Sequence, residues 1–200
     1  MSMSELSLPQ RVARAVGESP LSEQVAVVQE FVYGPVIDWA RRSPFHTSVL
    51  GHSVHPLLTD LTLGCWVSAS ILDVAGGSQA RRSATLLVGA GLAAAGPTAI
   101  AGAGDWAELT GAERRIGAVH ALGTDVAAFL LLGSLIARMR GRHTLGVRLG
   151  LAGNAIVAGA GFLGGHLALN RGTARRTTAG QGTISPANQP SREQSPLPPL

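Results

Sequence analysis

Six histidines are spread through this chain, and two of them stand three residues apart in Gly51–Asp60, GHSVHPLLTD. His52 and His55 precede Pro56 and an apolar run that carries Asp60 near its start. Proline is tolerated in the first turn of a helix, where its missing N–H would have had no partner. The two imidazoles therefore stand at the mouth of a helix. Neutral imidazole ligates transition metals and haem iron, and it relays protons near neutral pH. A carboxylate nearby, such as Asp60 or Asp105, would orient such a ring through its second nitrogen. A set built only from His and carboxylate suits Zn, Cu, Fe or Ni alike. Cys65 is the single cysteine, which excludes an intrachain disulfide or a Cys-rich metal site. No Ser/His/Asp order, phosphate loop or well-spaced pair of catalytic carboxylates is evident, so nothing specific argues for an enzyme.

The elements that must bring further ligands to this mouth are apolar. Charged residues make up only 14% of the chain, against about 25% in soluble domains. Four apolar segments, about 57–74, 84–103, 116–137 and 145–169, each approach the roughly 20 residues that cross a hydrocarbon core. Their short connections carry Arg81-Arg82, Arg114-Arg115 and Arg138, Arg140 and Arg142. Arginines flanking spans explain the net charge of +4 without nucleic acid as a partner. The expected fold is all-α: a four-helix transmembrane bundle, up-down-up-down, over 50–170. Residues 1–49 form a partly helical N-terminal extension that could lie at the membrane interface. Within it, Val25, Val28, Phe31 and Val32 share a helical face, Gly34-Pro35 breaks that helix, and Trp39 is an interfacial anchor. Residues 1–20 do not read as a signal peptide. Residues 171–200, rich in Pro, Ser, Thr and Gln, read as a disordered tail. Pro97 inside the second span predicts a kink, and small residues four apart, such as Gly91 and Ala95 or Gly146 and Gly150, predict close helix approach.

Connectivity then collects the polar residues. In an up-down-up-down bundle, odd spans start and even spans end at one face. His52 and His55 precede the first span, Asp105 and Trp106 close the second, His120 lies one turn inside the third, and His166 lies near the end of the fourth. At 1.5 Å per residue His120 sits roughly 6 Å below its helix start. Imidazoles and carboxylates at this depth are costly and persist when they pair or bind something. Three readings follow: one haem or metal site, proton or redox relay at a quinone-like pocket, or helix bridging with nothing bound. A single histidine is most simply a helix bridge; four that converge bring ligand binding to parity. Asp125, near mid-membrane, is either a functional acid or a neutral one bonded to a neighbour such as Asn154. Cys65, Trp66 and Trp106 read as packing residues. Arg114-Arg115 are topology signals that could also meet an anionic group such as a haem propionate.

GHSVHPLLTDLTLG, AGDWAEL, RRIGAVHALG and GFLGGHLALN, in that order over residues 50–170, resemble a bacterial membrane-protein family carried as domain of unknown function 2231. The resemblance implies four spans with a GHPxHP-type opening, a D-W pair, an H-A-L and a G-G-H-L. It implies His52, His55, His120 and His166, with Asp60, Asp105 and Trp106, as the motif residues. Some relatives are fused to a Rieske-type iron–sulfur domain, which implies a redox setting and such a protein as a partner. Ser53 stands where a proline is usual, which should loosen the turn, and Asp125 stands where Asn is frequent. The expected function is a multi-pass membrane module holding haem b or a transition metal for electron transfer. The alternative is a non-catalytic structural or partner-binding membrane protein. The termini are expected on the cytoplasmic side, because the regions on their face hold 10 Arg against 6 opposite.

Overall fold

The computed structural model describes residues 7–42 and 53–170, with only the backbone of Asn170. Its helices are α1 (Leu8–Glu18), α2 (Pro20–Arg42), α3 (His55–Ala75), α4 (Arg81–Trp106), α5 (Gly111–Met139) and α6 (His143–Gly165). A short 3-10 turn, Ser78–Ala80, leads into α4, and a π turn, His166–Asn170, follows α6. Among the described residues there is no strand, as expected of an all-α chain. The tail expected beyond residue 170 lies outside the described residues, as do His46 and His52.

Four helices are long and apolar enough to cross a membrane: His55–Ala75, Ser78–Trp106, Gly111–Met139 and His143–Leu169. Their outward residues are large and apolar, among them Leu57, Leu61, Ile71, Leu86 and Phe129. Their inward residues are small or polar: Ala69, Ala84, Gly91, Ala127, Ser134, Gly150 and Gly153. That inversion is what lipid as the surrounding solvent selects, since apolar side chains lose nothing by facing acyl chains while small ones let backbones approach. The core is correspondingly thin: Trp66, Val88, Leu131 and Val157 meet around Ala69 and Ala127. Gly91 leaves room for the Trp66 indole, and Gly146 for the Arg138 side chain. α4 runs continuously through Pro97.

α3 and α4 form one hairpin, α5 and α6 another, and these are the two most extensive helix contacts. α4 also packs on α5, and α3 on α6, which closes the ring of four. The two hairpins repeat one another. HPLLTD at the start of α3 recurs as HALGTD in α5, so His55, Leu57, Thr59 and Asp60 match His120, Leu122, Thr124 and Asp125. Gly91 against Trp66 in the first hairpin matches Gly153 against Leu131 in the second. Each hairpin turns through a glycine with positive φ, Gly77 at 62° and Gly141 at 74°, a conformation other residues adopt only with strain. Asp73 and Arg138, also at matching positions, meet as an ion pair whose side chains are 4% and 1% exposed.

The N-terminal helices lie against this ring. The backbone N–H of Ser7 donates to Gln10 Oε1 at 3.0 Å, half of a capping box that starts α1 with Pro9 in its first turn. α2 packs on both α4 and α5. It does not break at Gly34-Pro35. Proline there removes one bond, to the carbonyl of Phe31, and both Phe31 and Pro35 are exposed, so that carbonyl is not buried without a partner. Glu23 of α2 bonds Arg114 and Arg115 near the start of α5, and Tyr33 bonds Asp125 farther along, so α2 advances in the same direction as α5.

Candidate functional site

His55 enters α3 at its first residue, held by the groups around it. Ser53, buried, donates its hydroxyl hydrogen to Asp105 Oδ2 at 2.6 Å and accepts the backbone N–H of His55 at 3.1 Å. The serine thus straps the start of α3 to the end of α4. The turn is tied where the sequence suggested loosening, because a hydroxyl both donates and accepts while proline can do neither there. The His55 ring then reaches across to α4, where Nδ1 lies 2.9 Å from the carbonyl oxygen of Thr98. Gly102, one turn on, gives the ring its space: a Cβ there would stand 2.8 Å from His55 Cε1.

His120 repeats the arrangement on the other hairpin. Its Nδ1 lies 2.7 Å from the carbonyl oxygen of Ala160 in α6, and a Cβ at Gly164 would stand 2.8 Å from its Cε1. A carbonyl oxygen only accepts, so Nδ1 carries the hydrogen in both rings and Nε2 carries the lone pair. That is the tautomer in which a backbone carbonyl orients an imidazole and leaves the other nitrogen to ligate.

The remaining predicted residues divide. His166 opens the π turn that ends the fourth span, its ring centroid 6.4 Å from that of Phe162. Such turns recur at functional positions because they re-aim a side chain. Asp60 is exposed. Trp106 donates its indole N–H to the carbonyl of Arg114 at 2.9 Å and packs on Gly117, so it fastens the α4–α5 connection. Asp125 accepts from the Tyr33 hydroxyl at 3.3 Å. The charge of Asp125, and then burial, hold that phenol above its ordinary pKa. Asn154, the expected partner of Asp125, instead donates to the carbonyl of Trp66 at 3.0 Å and to Ser70 Oγ at 2.6 Å, because α6 presents it to α3.

Arg114 and Arg115 are engaged within the fold. Arg114 bonds Glu23 at 3.1 Å, bonds Glu30, and lies 5.5 Å over the Trp106 ring. Arg115 bonds Glu23 at 3.0 Å and the carbonyl of Gly17 at 2.6 Å. They clamp α1 and α2 to α5 and are not left for a propionate. Among the described residues, no three His, Cys, Asp or Glu side chains converge as a metal cage requires. What sequence reading missed is the pairing of each histidine with a carbonyl and a glycine on the neighbouring helix, and the role of Tyr33. The repeated H-x-L-x-T-D was the available signal.

No curated protein and no solved structure matches the chain. A family profile described as predicted membrane protein (DUF2231) matches residues 51–176, which takes in the whole ring of four helices and every motif residue described above. With four spans in the expected order and the match covering well over half its length, this chain belongs to the DUF2231 family of predicted membrane proteins.

Proposed function

We propose that this multi-pass membrane protein is a redox module with a bis-imidazole site, formed by His55 and His120, for haem b or a transition metal. One observation carries the reading: the same Nδ1–carbonyl bond and the same ring-against-glycine packing occur twice, once per hairpin, and leave both Nε2 lone pairs for a ligand. His166 is a further candidate ligand, with Asp105 and Trp106 supporting the end of α4, and His52 is a candidate from the motif alone. Two imidazoles could hold a haem, whereas a bare ion would need further donors such as those of the motif. Bound haem would supply one-electron transfer; the chain's own residues fix the ring tautomers and the spacing of the two helices. The electron partner would be a separate protein such as a Rieske-type iron–sulfur protein, since one cysteine cannot build a cluster. The termini are read as cytoplasmic from the arginine distribution. Labelling of cysteines placed singly at position 8 or 77 in a Cys65→Ala background, from each side of the membrane, reports that orientation.

A second reading has its own support. Each imidazole already bridges two helices, which is a complete structural role, so the histidines could hold the bundle and bind nothing. The absorption spectrum and metal content of the protein, purified in mild detergent, separate the two. A Soret band or stoichiometric metal that is lost in both His55→Ala and His120→Ala supports the redox module. A colourless, metal-free protein, which also takes up no added hemin, sinks it and leaves the bridge.

A further inference from the structure

The end of the bundle opposite the histidines carries a site of different chemistry. An open surface cavity of about 420 Å³ lies beside the first turns of α4 and α6. It is lined by Arg81, Arg82, Thr85, Leu86, Arg138 and His143, among others, with no acid on its wall. Asp73, approaching from α3, is already bound to Arg138, so among the described residues the guanidiniums of Arg81 and Arg82 are the cavity's uncompensated charges. Neither α4 nor α6 has a side-chain cap or an acid in its first turn. The partial positive charge of both helix starts therefore adds to that of the arginines. His143 Nδ1 is buried and has no hydrogen-bond partner among the described residues. A buried polar nitrogen without a partner is costly, and a ligand oxygen would relieve it.

We infer that this cavity binds a phosphate-bearing anion, and that its source is the headgroup of an anionic phospholipid. Arg81 and His143 are the first residues of their helices, so the cavity stands where two spans leave the hydrocarbon. Leu86, exposed and apolar, walls the cavity one turn deeper, where an acyl chain would run. Paired arginines at the end of a span suit a phosphate headgroup, whose oxygens their guanidiniums can bond, in either leaflet. Arg81 and Arg82 hold the phosphate, and His143 and the free N–H groups of the α6 first turn complete its coordination.

Calorimetric titration of the purified full chain in neutral detergent tests this. The three titrants are short-chain phosphatidylglycerol, short-chain phosphatidylcholine and inorganic phosphate. The expected result is binding of phosphatidylglycerol, with phosphatidylcholine at least about tenfold weaker. Removing one arginine should weaken binding roughly fivefold, so the Arg81→Gln/Arg82→Gln double variant should lose roughly 25-fold. Arg140→Gln/Arg142→Gln, on the same face but outside the cavity, should stay within about twofold. His143→Gln tests the buried nitrogen separately and should weaken binding while leaving the arginines in place. Inorganic phosphate binding as tightly as phosphatidylglycerol keeps the anion site and moves its source to solution. Equal binding of both lipids, no binding of any titrant, or equal losses in the two double variants overturns the proposal.

Discussion

The two hairpins share a plan and differ in what covers it. In the second, Asp125 meets the Tyr33 hydroxyl, and α1 and α2 are clamped across α5 through Arg114 and Arg115. In the first, the matching Asp60 is exposed. The inner surfaces are alike: His55 on Thr98 with Gly102, His120 on Ala160 with Gly164. What the hairpins keep in common is the histidine packing; what separates them is where α2 lies, against α5 in the second hairpin and against α4, not the α3 that carries Asp60, in the first. The difference teaches that the histidine packing is set by the hairpins alone, while the surroundings of the acid one turn beyond are set by which helix of each hairpin α2 meets.

The largest expected effect tests whether the hairpins are joined by charge. Arg138 and Asp73 are buried and bidentate, and removing one partner strands the other. Arg138→Ala should cost about 3–5 kcal/mol in a reversible unfolding measurement in detergent micelles, and an apolar replacement of both residues together should cost far less. If the single and double variants cost the same, the pair does not link the hairpins. Next come the glycines. Gly102→Ala and Gly164→Ala each put a methyl against an imidazole, and each should cost about 1–3 kcal/mol in melting experiments. Equal costs sustain the repeat; a large cost at one position alone breaks it. The smallest effect probes the outer difference. Asp125→Asn and Tyr33→Phe should each lose about 0.5–1.5 kcal/mol, and Asp60→Asn should change stability by less than about 0.5 kcal/mol. An Asp60→Asn cost as large as that of Asp125→Asn would show a partner on the first hairpin as well.

The spans were legible because lipid writes itself into long apolar runs. The segments expected at 116–137 and 145–169 fall inside Gly111–Met139 and His143–Leu169. The packing of each histidine within its own hairpin, His55 on α4 and His120 on α6, could not be read from connectivity. Every residue type carries a carbonyl, so Thr98 and Ala160 gave no sign that they would take an imidazole. For a neutral Asp125 the sequence offered a partner on a neighbouring helix, with Asn154 as one example. Its partner came from α2, a helix whose buried Gln29 and exposed Phe31 invert the pattern by which a covering helix is recognised. Ser53 was read for the proline it replaces; its function lies in the hydroxyl it adds. α1 was hidden by its polarity, although Ser7, Pro9 and Gln10 spell a helix start.

The ion pair of Asp73 and Arg138 also has a consequence for how the protein is made. Synthesis delivers the first hairpin with the Asp73 carboxylate before its partner guanidinium, which comes only after α5 has been translated. Until then α3 lacks the bidentate partner of the finished bundle, which should weaken its hold on the bilayer. A nascent chain cut short after Trp106 should therefore be cleared by membrane proteases, while the complete polypeptide persists.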